Sequence, residues 1–294
     1  MKIFTVFMAY IFLSLLPLSG LSGDARNSLH ELYKAGVAEF EKENYEEAIN
    51  SFSIIISTPR VLAKSLHQQA LQLRADAYSA VMELDKAEQD YAAAIKRYPG
   101  SNEAIRSELG IALIYYKKNH YQKARQMLLD FKTKYPNTKI TDDAQYWIGM
   151  LHFKNNNYKK SVIAFSYLEK IHPKSNFSAE GLLRLGDSYF RLGKLVEARG
   201  AYTRLLKRFP GDSFAEYALY NTARTYEIQV YTKQAVKVYT EFADKYPMSS
   251  LAPYAINTIA NYHYKSKAFS EAGSYYKRLF TVFPQNELAE VSFF

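Results

Sequence analysis

The sequence contains no cysteine, which removes disulfide frameworks, thiolate nucleophiles, cysteine-ligated zinc and iron–sulfur clusters together. It equally excludes acylation of an N-terminal cysteine. Glycine and proline number 12 and 9, and no glycine-rich phosphate loop occurs. Only 23% of residues are charged while 48% are hydrophobic, so the chain can bury a core and wholesale disorder is excluded. Past the N-terminal segment there is no second long apolar run. Two residue types are abundant instead: 26 tyrosines and 18 phenylalanines.

Lys2 is followed by an apolar run from Ile3 to Leu16, then Pro17 and the small-residue stretch from Leu18 to Gly23. A charge, an apolar stretch and a small-residue exit form the plan of a secretory signal peptide. Residues 1–25 are therefore expected to be an export signal, cleaved after Ser22 or Ala25; an uncleaved anchor is the alternative. The remainder, 26–294, is expected outside the cytoplasm, in the periplasm.

Six prolines, Pro99, Pro136, Pro173, Pro210, Pro247 and Pro284, follow one another at intervals of 37 residues. Twelve residues before each stands Ala87, Ala124, Ser161, Ala198, Ala235 or Ala272. A ring precedes each proline: Tyr98, Tyr135, His172, Phe209, Tyr246 and Phe283. A looser unit with Gly36, Ala48, Phe52 and Pro59 comes first. Within a unit the apolar spacing is helical: Leu182, Leu185, Gly186 and Tyr189, an interruption at Leu192-Gly193-Lys194, then Ala198, Tyr202 and Leu205. Each unit is thus two amphipathic helices around a short turn. Small residues at Gly36, Ala75, Ala112, Gly149, Gly186, Ala223 and Ala260 let the first helix press on the second. Each proline ends the second helix because it has no N–H to donate. Ser101, Thr138, Ser175, Asp212, Ser249 and Asn286 are candidate N-caps of the next unit.

These columns resemble the tetratricopeptide repeat, lengthened from about 34 residues by three in the loop after the proline. The resemblance implies an all-α fold, a right-handed α-α superhelix of about seven helical hairpins. The repeats lie near 29–63, 64–100, 101–137, 138–174, 175–211, 212–248 and 249–285, with 286–294 as a short capping helix. The string Asp143-Ala144-Gln145-Tyr146-Trp147-Ile148-Gly149 and the stretch from Tyr158 to Pro173 are similar to bacterial cell-envelope members of the BamD and YbgF (CpoB) type. Similar units cover residues 64 to 284. That likeness implies a non-catalytic scaffold in outer-membrane assembly or a Tol–Pal-related complex. BamD-type proteins are lipoproteins, and this chain has no cysteine to acylate. The YbgF type carries a coiled coil, and no heptad run stands here.

An array of helical hairpins binds partners on the face formed by its first helices. The fourth and fifth positions after the small residue point there: Phe40-Glu41, Ser79-Ala80, Tyr116-Lys117, Phe153-Lys154, Phe190-Arg191, Glu227-Ile228 and Tyr264-Lys265. Four of these seven pairs are a ring followed by a cation. A ring offers apolar area at low entropic cost, and its neighbour can meet a carboxylate or phosphate. Tyr146, Tyr217, Tyr220, Arg224 and Tyr254 are expected on the same face. The expected binding set is therefore Tyr116, Lys117, Tyr146, Phe153, Lys154, Phe190, Arg191, Tyr220, Arg224, Tyr264 and Lys265; the same rings could alternatively fill gaps between hairpins.

Charge is uneven. Residues 24–100 carry 9 basic and 12 acidic side chains, while residues 101–294 carry 28 and 17. The expected partner is a protein or peptide segment with acidic residues. The competing class is an anionic envelope polymer such as polysaccharide, or lipid heads; nucleic acid and small-molecule substrates are not expected. No catalytic set, metal site or cofactor is assigned. The six histidines, His30, His67, His120, His152, His172 and His263, show no metal-ligand spacing and no HExxH. Asp142-Asp143 and Glu46-Glu47 fall where helices begin, which suits the helix dipole. The chain ends on Ser292-Phe293-Phe294, which either caps the array or forms a docking patch.

Overall fold

The computed structural model describes residues 23–58, 60–136, 138 and 140–291. The expected signal peptide up to residue 22, Pro59 and the terminal Phe293-Phe294 lie outside them. The chain divides into two compact units, residues 1–140 and 141–294. The first contains α1 (Gly23–Glu41), α2 (Tyr45–Ser57), α3 (Arg60–Ala80), α4 (Leu84–Arg97), α5 (Asn102–Lys117) and α6 (Tyr121–Lys134). The second contains α7 (Thr141–Lys154), α8 (Tyr158–Ile171), α9 (Ser178–Arg191), α10 (Leu195–Arg208), α11 (Phe214–Ile228), α12 (Thr232–Lys245), α13 (Ala252–Lys265), α14 (Phe269–Val282) and α15 (Glu287–Val291). No strand occurs among the described residues. Consecutive helices pair into hairpins, and the expected all-α solenoid of hairpins is the fold observed.

The turn inside each hairpin repeats with the sequence. Glu43, Met82, Asn119, Asn156, Gly193, Val230 and Lys267 all have positive φ, between 55° and 71°. The residue after each sends its N–H five residues back, as in Asn157 to His152 O at 2.8 Å and Lys194 to Tyr189 O at 2.9 Å. This left-handed closure satisfies carbonyls that the helix end would leave bare. Second helices close differently. Tyr98, Tyr135, His172, Phe209, Tyr246 and Phe283 are the terminal residues, with φ from −121° to −134° and ψ from 53° to 60°. The following proline excludes helical backbone at those residues.

The chain then turns into the next unit. Ser101 is the N-cap expected, accepting from Ala104 N at 3.1 Å. Ser175, Asp212, Ser249 and Asn286 instead accept from the N–H two residues on, at 2.9–3.2 Å. They fold a side-chain turn that leads into the helix. Thr138 donates to Tyr135 O at 3.5 Å.

The small column is a seat for rings. In α7 a Cβ at Gly149 would lie 2.7 Å from Phe165 Cε1, and at Gly186 in α9 it would overlap the Tyr202 ring. Tyr202 and Phe165 are buried. Neighbouring first helices touch: α1 with α3 and α3 with α5 in the first unit, α7 with α9 and α9 with α11 in the second. Charged side chains of second helices bind their predecessors, as in Arg204 with Glu169 at 2.7 Å and Arg278 with Asp244 at 3.0 Å. Many tyrosines are accounted for by this packing; Tyr220, Tyr226, Tyr239, Tyr246, Tyr262 and Tyr275 all belong to one core cluster of the second unit.

Candidate functional site

The ring–cation positions separate once their surroundings are known. Rings of this column lie against rings five residues later, across the intra-hairpin turn: Phe40 with Tyr45 at 5.4 Å, Tyr116 with Tyr121 at 5.7 Å, Phe153 with Tyr158 at 5.5 Å and Tyr264 with Phe269 at 5.6 Å. Edge and tilted contacts of this kind are favourable in themselves. The column therefore has a task in the fold. Its second ring was legible as an aromatic five places on.

In the first unit, Lys117 is taken up internally. Its Nζ donates to Ser79 O at 2.6 Å and to Ser79 Oγ at 2.9 Å, binding the end of α3. Desolvation lowers the pKa of this half-buried ammonium, although the charge of Asp76 works the other way. Lys117 was expected to project towards a ligand; in the structure it ties one first helix to the next.

In the second unit, α9 turns Arg184, Asp187 and Arg191 to one side, spaced three and four residues apart as helix geometry requires. Asn221 and Arg224 of α11 stand 37 residues after Arg184 and Asp187 and repeat their positions. Together with Phe153 of α7, Phe190 and Tyr202 they line a cavity of about 300 Å³. Tyr202 donates its hydroxyl to Asp187 Oδ1 at 2.9 Å, and Asn221 Nδ2 donates to the same oxygen at 3.3 Å. Arg184 reaches Asp187 Oδ2 at 3.3 Å and Glu180 Oε1 at 3.1 Å. Its buried Nε has no protein partner. Burial raises the Asp187 carboxyl above its usual range, against hydrogen bonds from Tyr202 and Arg184. Burial, with the neighbouring Asp187, pushes the Tyr202 phenol upward.

Two cations at the cavity hold no carboxylate in a direct ion pair, although the charge of Arg191 is felt by Asp187. Arg191 and Arg224 are exposed and make no ion pair among the described residues. The Arg224 guanidinium lies 5.1 Å from the centroid of the Phe190 ring, a cation–π arrangement that holds it over the aromatic floor. Phe153 and Phe190 are half-buried, so each has area left to offer. A planar fork beside an apolar floor suits a carboxylate on an otherwise apolar segment.

The other expected residues are dispersed. Tyr146 is 2% exposed and stacks on Phe177 at 4.2 Å with the rings 11° from parallel; it is a core residue, which corrects its placement on the open face. Tyr220 is half-buried against Tyr239 at 5.6 Å and Phe242 at 5.3 Å. Lys154 is exposed. Tyr264 is 58% exposed, and Lys265 lines a second cavity of about 400 Å³ with Glu227, Thr232, Asn261 and Tyr262. Tyr217 and Tyr254 are exposed. Sequence reasoning missed Arg184, Asp187, Tyr202 and Asn221. A signal existed: a polar residue just after the small one, with a tyrosine fifteen places on, recurs as Asp76 with Tyr91 at 2.5 Å and Asn261 with Tyr276 at 2.8 Å.

Comparison with known proteins is consistent with this architecture. The C-terminal part of a TPR repeat-containing protein from Cytophaga hutchinsonii superposes with a TM-score of 0.64 at 17% identity, covering 88% of this chain and 98% of that one. A structure described as a functional characterization of Pseudomonas aeruginosa pilF gives 0.57 at 16% identity, over 78% and 96% of the two chains. A tetratricopeptide repeat protein from Parabacteroides merdae gives 0.52 at 16% identity, over 91% and 100%. At these identities the likeness is one of fold. No curated protein matches the sequence. A family model described as "Tetratricopeptide repeat-like domain" matches residues 63–221, more than half of the sequence, and the chain belongs to that family.

Proposed function

We propose that this protein is a non-catalytic scaffold that captures a protein segment bearing acidic side chains on the first-helix face of residues 141–294. The observation that carries the reading is the pair Arg191 and Arg224, unpaired beside the half-buried rings Phe153 and Phe190. Repeat arrays bind extended partners by adding modest contacts over several units. Lys154, Tyr264 and Lys265 lie on further first helices of the same unit and extend the interaction. The apolar Ile3–Leu16 run and the resemblance to BamD and YbgF types support export and service in the bacterial envelope, in an assembly or division complex.

The test is panning of a short random peptide library against the protein, with the Arg191→Glu/Arg224→Glu variant alongside. Enrichment of Asp- and Glu-bearing peptides by the protein, and its loss in the variant at unchanged helicity, is expected. Equal enrichment by both would refute the site. The competing reading, an anionic polysaccharide on the same cations, predicts binding that falls steeply with salt, whereas a ring-dominated peptide site weakens modestly.

A further inference from the structure

One column of the second helices is mostly polar on its outer side, and in α8 it is apolar. The outer face of α8 carries Ile163, Tyr167 and Ile171, which are 69%, 46% and 49% exposed. Spaced at four residues, they form one stripe along the helix. The corresponding positions are Gln126, Asp130 and Lys134 in α6, Gly200, Arg204 and Arg208 in α10, and Lys237, Glu241 and Lys245 in α12. In α14 they are Ser274, Arg278 and Val282. The fold therefore does not require an apolar stripe there. Arg204 and Arg278 use this column to reach Glu169 and Asp244, and Tyr167 has a ring partner, His172, at 6.1 Å.

Lysines surround the stripe. Lys159, Lys160, Lys170 and Lys174 are exposed and make no ion pair among the described residues. Lys207 on the neighbouring α10 is exposed as well. We infer that this face of α8 rests on an anionic lipid surface, with Ile163 and Ile171 entering the headgroup boundary and the lysines reaching the phosphates. Two observations select that occupant. The unpaired exposed charge on α8 is of one sign, since Glu169 is held by Arg204 and Arg208, so a second copy of the same face would bring lysine against lysine. The apolar residues are exposed in line along one helix, and an apolar stripe flanked by cations suits an anionic plane, as in interfacial helices. The inference is independent of the arginine-lined cavity, whose cations lie on first helices.

The test is flotation of the chain beginning at Gly23, which keeps every described helix, with vesicles of phosphatidylcholine alone or with about one-third phosphatidylglycerol. Binding to the anionic vesicles only, released by salt, is expected. Lys159→Gln/Lys160→Gln/Lys170→Gln should weaken it at least about tenfold, since each lysine near such a surface adds to the attraction. Ile163→Ser/Ile171→Ser should weaken it too, and Arg191→Glu/Arg224→Glu should leave it intact. All these positions are exposed, so unchanged helicity is the control. Failure to float, equal flotation with phosphatidylcholine alone, undiminished binding by the lysine or the isoleucine variant, or capture of acidic proteins in place of vesicles would each overturn the inference.

Discussion

Gly186→Ala isolates the contact on which each hairpin depends. A methyl group at Gly186 would overlap the Tyr202 ring. That ring is 0% exposed and its hydroxyl is fixed on Asp187 at 2.9 Å. Overpacking of this kind costs about 1–3 kcal/mol. Displacing the ring also strains a hydrogen bond to a buried carboxylate, which costs about 1–3 kcal/mol if lost. Alanine returns about 1 kcal/mol through helix propensity. With the hydrogen bond lost, the expected net loss is about 1–5 kcal/mol on combining these ranges. Gly273→Ala is the matched control: it too lies in a helix, α14, but its added carbon meets nothing within 4 Å, so it should gain about 0.5–1 kcal/mol. Gly186→Ala/Tyr202→Leu imitates the Ala112 and Leu128 pair of the third hairpin and should lose less than the two single changes added together. Chemical denaturation followed by far-ultraviolet circular dichroism reads the parent and the four variants, Tyr202→Leu alone included. A Gly186→Ala protein as stable as the parent would refute the reasoning.

Three further outcomes are expected. Val230 is β-branched yet has φ of 60° and is 79% exposed, so Val230→Gly should stabilise the protein by about 1 kcal/mol by relieving left-handed strain, measurable as a higher denaturation midpoint. Burial, opposed by Tyr91, Arg106, Lys117 and Gln72, raises the Asp76 carboxyl to about 6. The folded state then binds a proton more readily than the unfolded one, so stability should rise by about 1 kcal/mol as the pH falls from about 7 to 5. Asp76→Asn should flatten that slope in denaturation series at several pH values. Lys117→Ala should cost about 1 kcal/mol through loss of its bonds to Ser79, whereas Lys154→Ala should change stability by less than about 0.5 kcal/mol; equal effects in thermal melts would contradict the distinction drawn between them.

The hairpins were legible because their determinants are local and periodic. The ring before each proline, from Tyr98 to Phe283, ends a helix through backbone sterics alone, whatever the rest of the chain does. The intra-hairpin turns were legible only in position. Their left-handed residue is glycine at 193 and asparagine at 119 and 156, but Met82, Val230 and Lys267 fill it elsewhere, so residue type concealed a shared conformation. The site was half visible. Arg191, Arg224, Phe153 and Phe190 fell out of the repeat register, and the structure brings them together at one cavity. Lys117 and Tyr146 fell out of the same register and are spent on Ser79 and Phe177. Register gives the direction of a side chain; whether a neighbour claims it depends on contacts a whole repeat away in sequence, such as Lys117 with Ser79, 38 residues apart.

Site-specific crosslinking in living cells tests the central claim most directly. Benzoylphenylalanine would replace Phe190 at the cavity in one protein and the exposed Ser274 of α14 in another. The account predicts a discrete crosslinked partner from position 190, lost when Arg191→Glu/Arg224→Glu is added, and none from position 274. Crosslinks from position 274 alone, or from position 190 undiminished by the charge reversal, would contradict it.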